Sequence, residues 1–112
     1  MKKVFICSPY RPRGYTENER RRNLKQNIKL AKKACKYALK KGCLPYAPHL
    51  YFTRFLSDSS YEERETGIFL GTLWLAECDE IWVVGNRITE GMEREIDMAK
   101  ELGIPMLRKE KI

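Results

Sequence analysis

A chain of 112 residues, 43% apolar and 33% charged, is long enough for one modest core and too short for two, so residues 1–112 are expected to form a single domain. It holds no run of about 18 apolar residues, which excludes a membrane-spanning helix. The net charge of +7 points to an anionic partner, while Cys7, Cys35, Cys43 and Cys78 form no C-x-x-C pair and fit reduced thiols in a cytoplasmic setting.

In chain order, "KVFICS" (3–8) is a compact apolar run of the kind found in a strand covered on both faces; it lacks the long apolar stretch of an export signal. "PYRPRGYTENER" follows as a loop, with Thr16 or Asn18 as the N-cap of the next helix. That helix, "RRRNLKQNIKLAKKACKYALKK" (20–41), places Leu24, Ile28, Ala31, Cys35 and Ala38 at helical spacing on an otherwise basic cylinder and ends near Gly42. Without a series of aromatic rings interleaved among the lysines, its charge reads as a solvated outer face rather than a polynucleotide-binding surface. "CLPYAP" (43–48) predicts a second strand, and Pro45 implies that it lies at an edge or starts late. "HLYFTRFLSDSSYEE" predicts a loop rich in aromatic and polar residues. Residues 62–77, "EERETGIFLGTLWLAE", predict a helix with apolar residues on most sides, covered by a partner chain or wedged into the core. "EIWVVG" (80–85) is the clearest buried strand, the segment from Arg87 to Pro105 supplies a loop and an acid-rich helix, and "IPMLR" (104–108) predicts the last strand.

Alternating strands and helices predict an α/β fold, three-layered and flavodoxin- or Rossmann-like, on a small parallel sheet of four to five strands. Right-handed crossovers gather the loops after each strand at one edge, where ligands bind in such folds. The segments so gathered are Ser8-Pro9-Tyr10-Arg11, Pro48-His49, and Gly85 through Glu95. In the last of these, Thr89 suits the N-cap, Glu90 complements the helix dipole, and Gly91 leaves main-chain N–H groups open to an anion. Met92, Ile96 and Ala99 mark the buried stripe; Glu95 borders it and leans inward, whereas Glu93 and Asp97 point to water. Glu95 is therefore the carboxylate expected to sit half-buried above the strand ends.

"SPYRPRG", "LAECDEIWVVG" and "ITEGMEREIDMAKELGIP" together resemble the nucleoside 2-deoxyribosyltransferase superfamily over nearly the whole chain. The likeness is greatest to its small, often phage-borne members and extends to the deoxynucleoside monophosphate N-glycosidases. It implies a flavodoxin-like sheet and a glutamate that attacks the anomeric carbon of the sugar; counted back from "LGIP", that residue is Glu95, the acid the helical spacing selects independently. It also implies that Thr89 stands where a serine helps hold a 5′-phosphate, that Tyr10 orients the glutamate, and that relatives assemble into dimers or larger oligomers. The chain departs from the pattern at Gly71, where the glycosidase branch carries an aspartate, and at Glu93, where relatives carry a glycine. Asp58 or Glu65 is the candidate replacement for the missing acid.

The chemistry that the resemblance implies is covalent: Glu95 displaces the base from C1′, and water or a second base resolves the glycosyl-enzyme. Arg11 and Arg87 are expected to pair with phosphate or carboxylate, and Arg13 and Arg54 are lesser candidates of the same kind. Ser8, Pro9, His49, Gly85, Asn86, Thr89, Gly91 and Met92 complete the expected ligand contacts. Tyr46, Tyr51, Phe52 and Phe55 either stack a nucleobase or clasp the loop. Asp79 is read as structural, and Trp74 and Trp82 as core or subunit contacts. A single histidine among scattered cysteines makes no metal site, and no cofactor is expected. Two functions follow: an N-glycosidase or deoxyribosyltransferase acting on a nucleoside or nucleotide, or a non-catalytic module that sequesters an ADP-ribose-like or cyclic signalling nucleotide as a phage anti-defence sponge.

Overall fold

The computed structural model describes all 112 residues. Four parallel strands, β1 (Lys2–Cys7), β2 (Cys43–Tyr46), β3 (Glu80–Val84) and β4 (Met106–Lys109), lie in the order β2-β1-β3-β4. Pro45 thus sits on an edge strand, as its missing N–H requires. Alternation along β1 splits its side chains between two cores. Phe5 and Cys7 join Leu75, Ile81, Val83, Met92, Ile96 and Ala99 on one face; Val4 and Ile6 join Ala34, Ala38, Trp82 and Val84 on the other. The result is the expected three-layer, flavodoxin/Rossmann-like α/β fold, with helix α1 (Glu17–Lys40) on one face and helices α3 (Tyr61–Ala76) and α4 (Glu90–Leu102) on the opposite one.

Helix α1 begins three residues before the apolar pattern suggests, because Thr16 and Glu19 form a reciprocal capping box: the Thr16 hydroxyl accepts from Glu19 N–H and the Glu19 carboxylate from Thr16 N–H, each at 3.0 Å. Its buried positions are Asn27, Ala31, Ala34 and Ala38, so Leu24, Ile28 and Cys35 border the seam rather than centre it. Small side chains let this helix close on the sheet, and Asn27 earns its burial by donating to Tyr10 O at 3.0 Å.

The segment expected to be a loop after β2 is partly helical. Pro48 opens a single turn, α2 (Pro48–Tyr51), and a 3-10 turn continues over Phe52–Arg54. Proline at the first helical position has its φ already set and no N–H to leave unsatisfied, and Tyr51 and Phe52 anchor the turn by packing on Trp74. These rings, with Tyr46, form a clasp on α3, and among the four aromatics only Phe52 reaches the cavity described below. Helix α3 buries only Gly71 and Leu75 and leaves Phe69 and Leu73 exposed. The last strand starts at Met106, two residues later than expected, because Gly103 ends α4 in the left-handed region at φ 72° and Ile104 N–H still bonds back to Ala99 O.

The chain order places β2 on one side of β1 and β3 on the other. The crevice between the carboxyl ends of β1 and β3 is therefore the topological switch point, where sheets of this kind hold ligands.

Candidate functional site

Parallel register pairs Cys7 with Val83, which brings Pro9 level with the turn at Gly85. Gly85 adopts φ +91°, and a Cβ there would stand 3.1 Å from Leu30 Cδ2 and 3.8 Å from Pro9 Cδ. Only glycine fits this turn without strain. Its carbonyl accepts from the Arg108 guanidinium at 2.9 Å. Ser8, Pro9, Gly85 and Met92, expected as ligand contacts, thus form a buried floor and line neither cavity described below; Asn86 is exposed and lies outside both. Close packing of the strand exits buries all four residues.

Above the floor lie two adjoining cavities that share Tyr10, His49, Asp58, Arg64 and Ile68. The smaller, about 60 Å³, ends on Glu95. The larger, about 210 Å³, is lined by Arg11, Arg64 and Arg87 and by Thr89, Glu90 and Gly91 at the start of α4. The three gathered segments therefore converge on a cleft with a carboxyl at one end and guanidinium groups at the other.

Glu95 is partly exposed as a residue, yet its Oε1 atom is sealed from solvent and has no hydrogen-bond partner. Ser8 Oγ is the one other buried side-chain oxygen or nitrogen without a partner. Buried polar atoms in native proteins are overwhelmingly paired, so two orphans flanking one strand exit are informative. Burial pushes the Glu95 carboxyl up to about 8, opposed by a hydrogen bond with the Cys7 thiol. Cys7, whose Sγ also lies 3.8 Å from Met92 O, is itself raised by burial and by Glu95. No cation faces Glu95 closely enough to hold it ionised, so the resting carboxyl is mostly neutral at pH 7.

Tyr10 does not bond to Glu95. Its ring instead stacks on His49, with centroids 5.1 Å apart and planes 22° from parallel, because the α2 turn delivers the imidazole over the exit of β1. Burial lowers the His49 pKa to about 4, opposed by a hydrogen bond to the Ser8 main chain, so the ring is neutral at pH 7. Tyr10 and His49 together form a flat apolar wall common to both cavities.

At the other end, burial and neighbouring Arg13 lower the Arg87 pKa, and Arg87 donates to Asn23 Oδ1 at 3.4 Å. Arg11 and Arg64 approach Asp58 at 3.1 and 4.0 Å. Thr89 caps α4, its hydroxyl accepting from Met92 N–H at 3.2 Å, and the nearest atom to a Cβ added at Gly91 is Thr89 Oγ1 at 3.9 Å, so that side of the turn is open.

Of the two candidate replacement acids, Asp58 lines both cavities, whereas Glu65 is held in a two-pronged pair with Arg94, each bond 3.2 Å, and lines neither. Gly71 packs on Pro48, whose Cβ lies 3.8 Å from where a Gly71 Cβ would stand, beneath the turn that carries His49. Arg54 is exposed, and Arg13 opens onto a separate surface depression. Asp79 is structural: its carboxylate accepts from Lys3 N–H at 2.8 Å and fastens β1 beside β3. Sequence reasoning missed Cys7, Arg64 and Ile68. The i, i+4 spacing of Arg64 and Ile68 was the available signal for the helix face, and period-two alternation was the signal for Cys7.

One solved structure with the same architecture is the 2-deoxyribosyltransferase of the psychrotolerant bacterium Bacillus psychrosaccharolyticus, described as a biocatalyst for synthesis of antiviral and antitumoral nucleosides. It superposes with a TM-score of 0.68 over 98% of this chain and 76% of its own, at 18% sequence identity. At that identity the likeness establishes the fold alone. No curated protein matches the sequence. A family model does match, over residues 2–109, and the chain belongs to that family, described as a domain of unknown function, DUF7768.

Proposed function

We propose that the protein cleaves or transfers the N-glycosidic bond of a nucleoside or nucleotide, with Glu95 as the nucleophile. The observation that carries this reading is the sealed, unpartnered Glu95 Oε1 at the end of a cleft whose other end is cationic. An oxygen without a hydrogen-bond partner and next to an open cavity is available to form a bond. The fold shared with a 2-deoxyribosyltransferase supports the same choice of substrate class.

In the first step an oxygen of ionised Glu95 bonds to C1′ as the C1′–N bond breaks; the electron pair leaves with the base, which takes up a proton from solvent water, and the water that later attacks C1′ returns a proton to solvent. Attack by water on C1′ then returns the carboxylate and releases the sugar, or a second base takes the place of water. The Tyr10–His49 wall supplies a flat surface beside the reacting ring, and Arg11, Arg64 and Arg87 attract the anionic part of a nucleotide. Because the resting carboxyl titrates near 8, only the ionised fraction reacts.

A second reading, a nucleotide-binding module without turnover, draws on that same neutral carboxyl and on Gly71, which leaves that position of the middle helix without an acid. The experiment that separates the two is incubation with a panel of deoxynucleosides and their monophosphates, with free base followed by chromatography. Release that falls at least about a thousandfold in Glu95→Ala supports the enzyme. Absence of release, with tight nucleotide binding by both proteins, supports the module.

The partner proposed for the exposed face of α3, with Tyr61, Phe69 and Leu73 uncovered, is a second copy of the chain.

A further inference from the structure

The cationic end of the cleft contains a carboxylate that works against anion binding. Asp58 lines both cavities, and its two oxygens are divided between two arginines on different elements: Oδ2 lies 3.1 Å from Arg11 Nε, in the loop after β1, and Oδ1 lies 4.0 Å from Arg64 Nε, on α3. Asp58 itself comes from the segment joining the 3-10 turn to α3. That segment is otherwise tied at Ser57, whose N–H donates to the Glu63 carboxylate at 2.9 Å. The Arg11 side chain is 60% exposed and that of Asp58 32%, so the contact between them is a solvated one that an incoming anion displaces easily. Arg87, in the same cavity, has no carboxylate partner; its only side-chain contact is the weak donation to Asn23.

We infer that Asp58 is an internal counter-ion that occupies the position of a ligand phosphate, and that a phosphate group binds there only by displacing it from Arg11 and Arg64. A phosphate monoester bridges Arg11 and Arg64 with two oxygens, as Asp58 does, and presents a third to Arg87, a contact that a carboxylate already shared between two arginines does not supply. A neutral sugar hydroxyl gains too little from the arginines to displace the aspartate. This inference rests on the nucleotide reading of the cleft and deepens it by naming the carboxylate that a ligand phosphate displaces. It does not depend on Glu95 acting as a nucleophile.

Calorimetric titration of the full chain with inorganic phosphate tests it directly. Removing one negative charge a few ångströms from the bound anion is expected to tighten phosphate about fivefold in Asp58→Asn, with Asp58→Ala as the second variant should the first fold poorly. Adding Arg64→Ala to Asp58→Asn is expected to abolish that gain. A nucleoside without phosphate is expected to bind the wild type and Asp58→Asn equally. Unchanged or weaker phosphate binding in both Asp58 variants, persistence of the gain without Arg64, or no measurable phosphate binding by any of the proteins overturns the inference. Because the titration involves no bond cleavage, its failure is distinct from a failure of Glu95→Ala to stop base release.

Discussion

Glu95 shows how a single residue acquires a chemistry that its type does not guarantee. It lies three positions after Met92 and four before Ala99, both buried, so the helix turns its carboxyl against the exit of β1. Lifting the pKa from 4.5 to about 8 has two consequences of definite sign. For catalysis, the reactive carboxylate is scarce below the folded pKa. kcat/KM is expected to rise about tenfold per unit between pH 6 and 7 and to level off above about 8. For stability, the folded chain retains a proton between pH 4.5 and about 8 that the unfolded chain has released. The stability this group contributes is complete below 4.5 and is lost as pH rises through the folded pKa. Glu95→Gln keeps the shape and removes the titration, so it is expected to exceed the wild type by about 2–4 kcal/mol at pH 8.5 relative to their difference at pH 4.5. Urea melts at the two pH values measure this, and a pH-independent difference would place the carboxyl in a solvated environment.

At the scale of elements, α4 was legible in full from the sequence and α2 was not. Thr89, the Met92–Ile96–Ala99 stripe and Gly103 are local signals, each acting within a turn or two, and all three appear where the spacing predicts them. The α2 turn is too short to show a period, and what holds it is tertiary: Tyr51 and Phe52 against Trp74, and Pro48 against Gly71. The stacking of Tyr10 was not legible for the same reason, since its partner His49 stands 39 positions away on that unforeseen turn. Helix α3 conforms to its unusual pattern. Apolar residues on most sides leave Phe69 61% and Leu73 51% exposed, more than one sheet face covers. Self-association through this face is expected to show as a dimer or larger species by light scattering, and Leu73→Lys is expected to shift it to monomer. A wild-type monomer at working concentration would remove the proposed interface.

At the scale of the whole molecule, the arrangement follows from two facts legible in the sequence: doubly buried strands, and crossovers that return every loop to one edge. Those facts brought Tyr10, Arg11, His49, Arg87, Thr89, Gly91 and Glu95 around one cleft. They did not distinguish residues that line the cleft from those that support it. Ser8, Pro9, Gly85 and Met92 fall on the supporting side because close packing of the strand exits depends on side-chain volumes, as at Gly85 against Leu30, and not on topology. The central claim, a bond between Glu95 and a sugar carbon, is tested most directly by acid-quenching the protein during turnover of a released-base substrate and weighing its peptides. The account predicts a mass increment equal to the substrate's deoxyribosyl group, with its 5′-phosphate where the substrate carries one, on the peptide that contains Glu95, absent from Glu95→Gln. Base release that proceeds undiminished in Glu95→Gln, with no increment on that peptide in the wild type, would contradict it.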